Sequence, residues 1–141
     1  MKKYVFSAAT IFLALGVYWL FNSDNAGQQV SSTSGAPLAN VKLPENLTEN
    51  ALVGRIVFAD NCAACHGVNA VGRDGLAPPL VHKIYEPSHH GDESFQRAVA
   101  LGVRGHHWSF GDMPAVQKLN RDDVKSIVAY VRELQVANGI N

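Results

Sequence analysis

The run Cys62-Ala63-Ala64-Cys65-His66 restricts the fold of this 141-residue chain more than any other part of its sequence. It contains both cysteines of the chain, so none remains for a structural disulfide elsewhere. The spacing places the two thiols about one helical turn apart, and an imidazole follows directly. The fold around this run must therefore present two thiols and one imidazole to the same space.

The C-x-x-C-H pattern is the attachment signature of a c-type haem. Two thiols at this spacing can each add to a vinyl group of one porphyrin, and the next imidazole can bind the iron. A zinc site would need two further ligands, and no second cysteine pair exists. A thioredoxin-like redox pair would need a βαβ setting, which the sequence lacks. We therefore predict one covalent haem c on Cys62 and Cys65, with His66 bound to its iron.

Met113 is the candidate for the second axial ligand of that iron. Apart from Met1 it is the only methionine, and it lies in the loop sequence Gly111-Asp112-Met113-Pro114, outside any apolar stripe. A thioether is a soft ligand that favours ferrous iron, so His/Met ligation raises the reduction potential. An iron with two histidine ligands, one of them in place of Met113, stays open as the alternative.

Periodicity predicts a helical domain with no convincing strand. The first helix covers Glu49–Asn61, where Gly54, Phe58 and Cys62 fall four residues apart and share one face. A glycine inside a helix costs about 1 kcal/mol relative to alanine, so its expected benefit is the close approach of another helix. A shorter helix is predicted over Glu93–Leu101.

The strongest helical pattern lies near the C-terminus. Asn120 has the position of an N-cap and Asp123 that of its capping-box partner, while Asn138-Gly139 is a suitable stop. Between these ends an apolar stripe recurs at spacings of three and four, formed by Val124, Ile127, Val128, Val131 and Leu134. Three helices and long loops make a thin core, so an apolar group is expected at its centre.

The N-terminal segment predicts export. Residues 4–21 carry no charge and as a helix would cover roughly 27 Å, close to the hydrocarbon thickness of a bilayer. Lys2 and Lys3 before this run predict that the N-terminus stays in the cytoplasm. A cleaved signal peptide is the alternative, although only Ala26 resembles a cleavage residue. We predict a membrane anchor or uncleaved signal segment over residues 1–22.

The rest of the chain divides into two parts. Residues 23–47 are rich in Ser, Asn, Gly and Pro without a sustained period, which predicts a flexible linker. Residues 48–141 form the predicted folded domain, placed on the periplasmic side of the cytoplasmic membrane by a single-pass anchor. Twelve acidic residues balance the twelve Lys and Arg residues of the chain, so no basic surface for nucleic acid is expected.

Over residues 48–136 the chain resembles the class I cytochromes c. That family carries a glycine and an aromatic residue eight and four positions before the first haem cysteine, as Gly54 and Phe58 stand here. Its last helix packs an aliphatic and an aromatic residue against that glycine, and Ile127 and Tyr130 fit. The resemblance implies an all-α cytochrome c fold, with short helices and long loops wrapped around one haem.

The same resemblance implies further site residues. The family's proline carbonyl, which accepts a hydrogen bond from the proximal histidine, corresponds to Pro78, and its distal methionine to Met113. The segments 89–92 and 104–108 depart from the mitochondrial pattern and are similar to bacterial membrane-tethered or periplasmic monohaem cytochromes. The implied activity is single-electron transfer by a monomer between a donor and an acceptor protein of a respiratory or periplasmic chain, without enzymatic catalysis.

Two alternative functions remain. One is a haem-bearing subunit of a dehydrogenase or oxidase complex, which shares the chemistry and differs in the permanence of association. The other is a ligand-sensing or peroxidase-like haem protein, which requires a vacant or exchangeable iron site.

The remaining polar candidates have weaker patterns. Arg73, Arg104 and Trp108 are candidate donors to the haem propionates. We interpret the other histidines as loop or surface residues with ordinary hydrogen bonds. The alternative is a transition-metal site, for example for copper, although adjacent residues rarely chelate one ion well. It would be formed from the two His-His pairs, His89-His90 and His106-His107, while His82 is the remaining histidine of this group.

Overall fold

Residues 35–141 are described by a computed structural model, and their secondary structure is helical. Its α-helices are α1 (Glu49–Asn61), α2 (Ala63–His66), α3 (Asp92–Leu101) and α4 (Arg121–Ala137). Short 3-10 turns cover Val68–Ala70 and Lys83–Tyr85, and two isolated bridges pair Arg73 with Ala77 and Val103 with Met113. The predicted helical class is confirmed for this part of the chain.

The predicted bounds of α1 are confirmed. Thr48 is its N-cap, and the hydroxyl of that residue accepts a hydrogen bond from the Ala51 amide at 3.3 Å. The same hydroxyl donates to the Glu133 carboxylate of α4 at 2.5 Å, and the Thr48 amide donates to it at 3.1 Å. The first turn of α1 is therefore attached to α4.

The capping box predicted for α4 is present. The Asn120 side-chain oxygen accepts from the amides of Asp122 and Asp123, at 2.8 and 3.0 Å. The Asp123 carboxylate accepts from the Asn120 amide at 3.0 Å, which completes the reciprocal pair. The helix ends at Ala137, and Gly139 follows with a positive φ of 75°, so the predicted stop is also confirmed.

Helices α1 and α4 cross in backbone contact. A Cβ atom built on Gly54 would lie 1.8 Å from the carbonyl oxygen of Ser126, so the crossing requires a residue without a side chain. Phe58 packs edge-on against Tyr130, with ring centroids 5.7 Å apart. The core around this crossing consists of Ala51, Phe58, Ala70, Val81, Ile127, Tyr130, Val131 and Leu134.

Helix α3 begins at Asp92, one residue earlier than predicted. A carboxylate in the first turn complements the positive end of the helix dipole, which accounts for the early start. The Arg132 guanidinium of α4 donates to Asp92 at 2.9 Å. On the inner face of α3, Val99 packs with Val124 and Val128 of α4.

Of the linker predicted over residues 23–47, residues 23–34 lie outside the described residues, and residues 35–47 are hydrogen-bonded to the folded domain. The amides of Leu38 and Ala39 donate to the Val71 carbonyl at 3.1 and 3.0 Å. Lys42 exchanges two hydrogen bonds with the Asn138 side chain, at 2.9 and 2.8 Å. Residues 35–47 make these bonds with their backbone groups. Their side chains therefore need not follow the periodic pattern from which a helix or strand is predicted.

The predicted anchor over residues 1–22 lies outside the described residues. Among the helices of residues 35–141, none has the length and apolarity needed to span a bilayer.

Replacing Gly54 with alanine is expected to lower the free energy of unfolding by about 2–3 kcal/mol, because the added methyl group forces α1 away from α4. Gly91→Ala is the control, since a Cβ there would meet nothing closer than Pro87 O at 3.6 Å. Loss of the N-cap glycine should cost less than about 1 kcal/mol. Urea unfolding followed by circular dichroism measures the free energy of unfolding of both variants. An equal loss of stability in the two would contradict the backbone contact at Gly54.

Candidate haem-attachment site

The cysteine pair lies at the junction between α1, which ends at Asn61, and α2, which begins at Ala63. The amides of Cys65 and His66 both donate to the Cys62 carbonyl, at 3.1 and 2.8 Å. This single helical turn brings the three residues together as their spacing predicts. Cys62 is half-buried and Cys65 is exposed.

The surroundings of Cys62 favour the protonated form of a thiol at this position. Burial raises its pKa to about 11, the nearby Cys65 adds to the rise, and the Lys118 ammonium opposes it. Reactive cysteines of disulfide oxidoreductases show the opposite shift, towards the thiolate. The site therefore lacks the electrostatics of a dithiol redox centre.

The imidazole of His66 is held in one orientation by Pro78. Its Nδ1 lies 2.9 Å from the Pro78 carbonyl oxygen. A carbonyl can only accept, so Nδ1 carries the proton and the Nε2 lone pair is free. Burial lowers the pKa of His66, while the hydrogen bond to Pro78 acts in the other direction. The result is a neutral imidazole with one nitrogen available to a metal ion.

A tight loop brings Pro78 to this position. The Gly72 amide donates to the His66 carbonyl at 2.6 Å, and the Arg73 amide donates to Ala77 O at 2.8 Å. Gly72 has a φ of 75°, and a Cβ on it would lie 2.5 Å from the Pro79 nitrogen. The turn thus requires glycine both for its conformation and for its close packing.

One buried and one half-buried polar residue of α4, neither of them predicted from the sequence, hold the loops against this helix. Gln135 is fully buried, and its amide donates to the carbonyls of Leu80 and Tyr85 at 2.8 and 3.0 Å. Arg132 donates to the Gln135 side-chain oxygen at 2.7 Å. The sequence does contain one indication that Gln135 is buried. This polar residue lies four positions after Val131, on the apolar face of α4.

The backbone of Met113 is fixed by a reciprocal pair of hydrogen bonds. The Met113 amide donates to the Val103 carbonyl and the Val103 amide to the Met113 carbonyl, both at 2.9 Å. Gly102 has a φ of 77°, and a Cβ there would lie 2.6 Å from the Met113 oxygen. The methionine therefore stands at a defined point of its loop, half-buried.

Trp108 has the free donor expected of a residue that contacts a bound anion. Its indole Nε1 is buried and makes no hydrogen bond of good geometry among the described residues. The Tyr85 hydroxyl lies nearby, and the Trp108 N–H opposes the rise that burial causes in the pKa of Tyr85. The ring stacks on Phe110, with centroids 5.6 Å apart, and meets His82 edge-on at 5.3 Å. A buried N–H without an acceptor is costly, so this residue fits a haem propionate.

The other two propionate candidates differ from Trp108. Arg73 donates to the backbone carbonyl of Ala64. Arg104 is exposed, and its carbonyl accepts from the His106 ring at 2.8 Å.

The histidines fall into two groups. His82 accepts a hydrogen bond from the Ile84 amide at 3.2 Å and caps a 3-10 turn, an ordinary local role. His89 and His90 lie together with His106 and His107, although the two pairs are far apart in the sequence. Partial desolvation and the charges of the other three imidazoles lower the pKa of His107.

The Cytochrome c family model matches residues 51–135, which include the cysteine pair, the proline loop and Met113. The chain belongs to the cytochrome c family. Membership implies a covalently bound haem c, and the predicted family and its role as an electron carrier are confirmed.

Three relatives of this cytochrome are all named as subunits of cbb3-type cytochrome c oxidases. The cbb3-type cytochrome c oxidase subunit FixP of Azorhizobium caulinodans is 32% identical over 126 residues, which are 78% of this chain and 40% of that protein. Subunits named CcoP are 34% identical over 89 residues in Helicobacter pylori strain 52, and 37% over 83 in Cereibacter sphaeroides. Those matches cover 62% and 57% of this chain, but only 28% and 26% of the relatives. No solved structure matches this cytochrome.

Gln135→Leu should lower the free energy of unfolding by about 1–3 kcal/mol, because it leaves the Leu80 carbonyl without its donor. Gln117→Leu makes the same change at an exposed position and should stay within about 0.5 kcal/mol. Urea unfolding compares the two variants. A Gln135 variant as stable as the Gln117 variant would mean that the buried amide does not hold the loop.

Proposed function

We propose that this cytochrome transfers single electrons through one haem c, held by Cys62 and Cys65, with His66 and Met113 as the iron ligands. The observation that carries the proposal is the 2.9 Å hydrogen bond from His66 Nδ1 to the Pro78 carbonyl. It leaves Nε2 free on the residue next to the cysteine pair. The single C-x-x-C-H motif and the absence of further cysteines in the sequence support one haem.

When bound, the haem supplies an iron that changes between its ferrous and ferric states. The chain's own residues set the conditions for that change. The Pro78 carbonyl orients the His66 ring and increases its basicity as a ligand. A thioether from Met113 would favour the ferrous state, and an iron held by both His66 and Met113 would have no open position for a substrate.

Trp108 is proposed to donate its free indole N–H to a propionate. This contact would satisfy a donor that makes no hydrogen bond of good geometry among the described residues. It would also stabilise a charged group that is costly to bury without hydrogen bonds.

We propose further that the domain works at the periplasmic face of the cytoplasmic membrane, with residues 1–22 as its anchor. A formal charge of zero supports a weak, short-lived encounter between a monomer and its donor and acceptor proteins. A second candidate is a haem-bearing subunit of an oxidase complex. The names of the relatives favour it, because the chain matches the cbb3-type oxidase subunit FixP over 78% of its length. Copurification of an oxidase with the untagged cytochrome in mild detergent would favour the second candidate over the first.

Met113→Leu keeps the side-chain volume but removes the sulfur. The sulfur-to-iron charge-transfer band of the oxidised protein should disappear, and the reduction potential should fall by at least ~60 mV, a tenfold change in the one-electron equilibrium constant. Absorption spectroscopy and a redox titration measure both quantities. Leu101→Ala, at a side chain 80% exposed, is the control and should change neither. A Met113→Leu variant with the band intact would exclude this ligand.

Replacing both Cys62 and Cys65 by serine should abolish covalent haem retention, because no other thiol exists in the chain. The measurement is haem staining after denaturing electrophoresis, together with the mass of the intact protein. Each single variant retains one thiol and provides the internal comparison. Haem that stays attached to the double variant would contradict the assignment.

A further inference from the structure

Two loops bring three imidazoles together at the surface. The turn before α3 carries His89 and His90, and the loop between α3 and α4 carries His107. One ring nitrogen of each residue lies within 4.8 Å of the others. The ring centroid of His107 lies 5.3 Å from that of His89 and 5.2 Å from that of His90. Residues distant in sequence therefore meet as a cluster.

The turn before α3 directs both of its imidazoles to one side. The amides of His89 and His90 donate to the Glu86 carbonyl at 3.1 and 2.8 Å. Their rings stand 4.7 Å apart at 71°, edge to face. This geometry removes the objection that adjacent residues rarely bind one ion, because the chain turns sharply at this point.

His90 already has the second hydrogen bond of a metal ligand. Its Nδ1 donates to the Ile84 carbonyl at 2.6 Å, so its Nε2 lone pair is free. Metal-bound histidines typically donate their other ring N–H to a carbonyl or carboxylate in this way. The His90 carbonyl in turn accepts from Arg132 of α4 at 2.5 Å, which fixes the backbone of this residue.

We propose that His89, His90 and His107 bind one divalent transition-metal ion of the zinc or copper class, at a site separate from the haem. Three neutral imidazoles suit these ions, whereas magnesium and calcium prefer oxygen ligands. Nitrogens bound to one tetrahedral zinc ion lie about 3.3 Å apart, so the three side chains need only small rotations. His89 and His107 are exposed and free to make them, and the fourth position faces solvent.

His106 lies beside the site but outside the set of three. Its ring is stacked 6.2 Å from that of His90, and its Nδ1 donates to the Arg104 carbonyl. It therefore provides a matched control for its neighbour His107.

Metal binding would join two loops that are attached to different parts of the domain. The turn before α3 is attached to α4 through Arg132. The loop of His107 ends at the bridge between Val103 and Met113. An ion held by both would fix the loop that carries Met113 to the body of the domain.

The test is a calorimetric titration of the untagged, haem-loaded full chain with zinc chloride alone. One zinc ion per chain is expected, with three imidazole ligands in the zinc X-ray absorption spectrum. His89→Gln and His107→Gln should each weaken binding at least about tenfold, and His106→Gln by less than about threefold. Excess magnesium should not compete.

Three results would overturn the proposal. The first is the absence of zinc binding, and the second is equal loss in the His106 and His107 variants. The third is a high-spin haem spectrum in a His89, His90 or His107 variant, because loss of an iron ligand would assign that histidine to the iron. The titration does not depend on whether Met113 is the iron ligand, so it can succeed or fail independently of the proposed function.

Discussion

The rest of the structure depends on the backbone contact between α1 and α4. At Gly54 the two helices approach so closely that a side-chain carbon would overlap the Ser126 carbonyl. This contact places α1 against α4, and Cys62 follows directly after the last residue of α1. It also sets the direction of α4, whose later turns carry Tyr130 and Gln135 towards the loops. The close approach that glycine allows at position 54 thus helps to position both the cysteine pair and the loops that pack on α4.

The site itself is built mainly from backbone carbonyls. Pro78 O orients the His66 ring, and the Val103 carbonyl helps to hold Met113. The loops that supply these carbonyls have little regular structure, so buried side chains of α4 replace the missing backbone pairing. Gln135 is the clearest case, because one amide group satisfies two loop carbonyls inside the core. Buried side chains of α4 therefore attach the long loops to the core of the domain.

The sequence predicted the parts of the fold that depend on local chemistry. Helix ends could be located because caps such as Asn120 act on their own neighbours in the chain. Pro78 was predicted only through resemblance to a family, since nothing local shows which carbonyl faces a histidine. The attachment of residues 35–47, the burial of Gln135 and the approach of His107 to the other histidines depend on loop paths. The path of a loop cannot be predicted from the hydropathy pattern of the sequence.

The crossing at Gly54 also has a consequence for how the domain assembles. Its two partners, Gly54 and Ser126, come from opposite ends of the domain, so their contact closes a chain loop that contains the whole site. Closing a loop of this length costs roughly 4 kcal/mol of chain entropy before any core contact offsets it. The C-terminal helix must therefore be present before α1 finds its partner. Until then Cys62, which is half-buried in the folded domain, is as accessible as the exposed Cys65, so both thiols can react with a haem on an open chain.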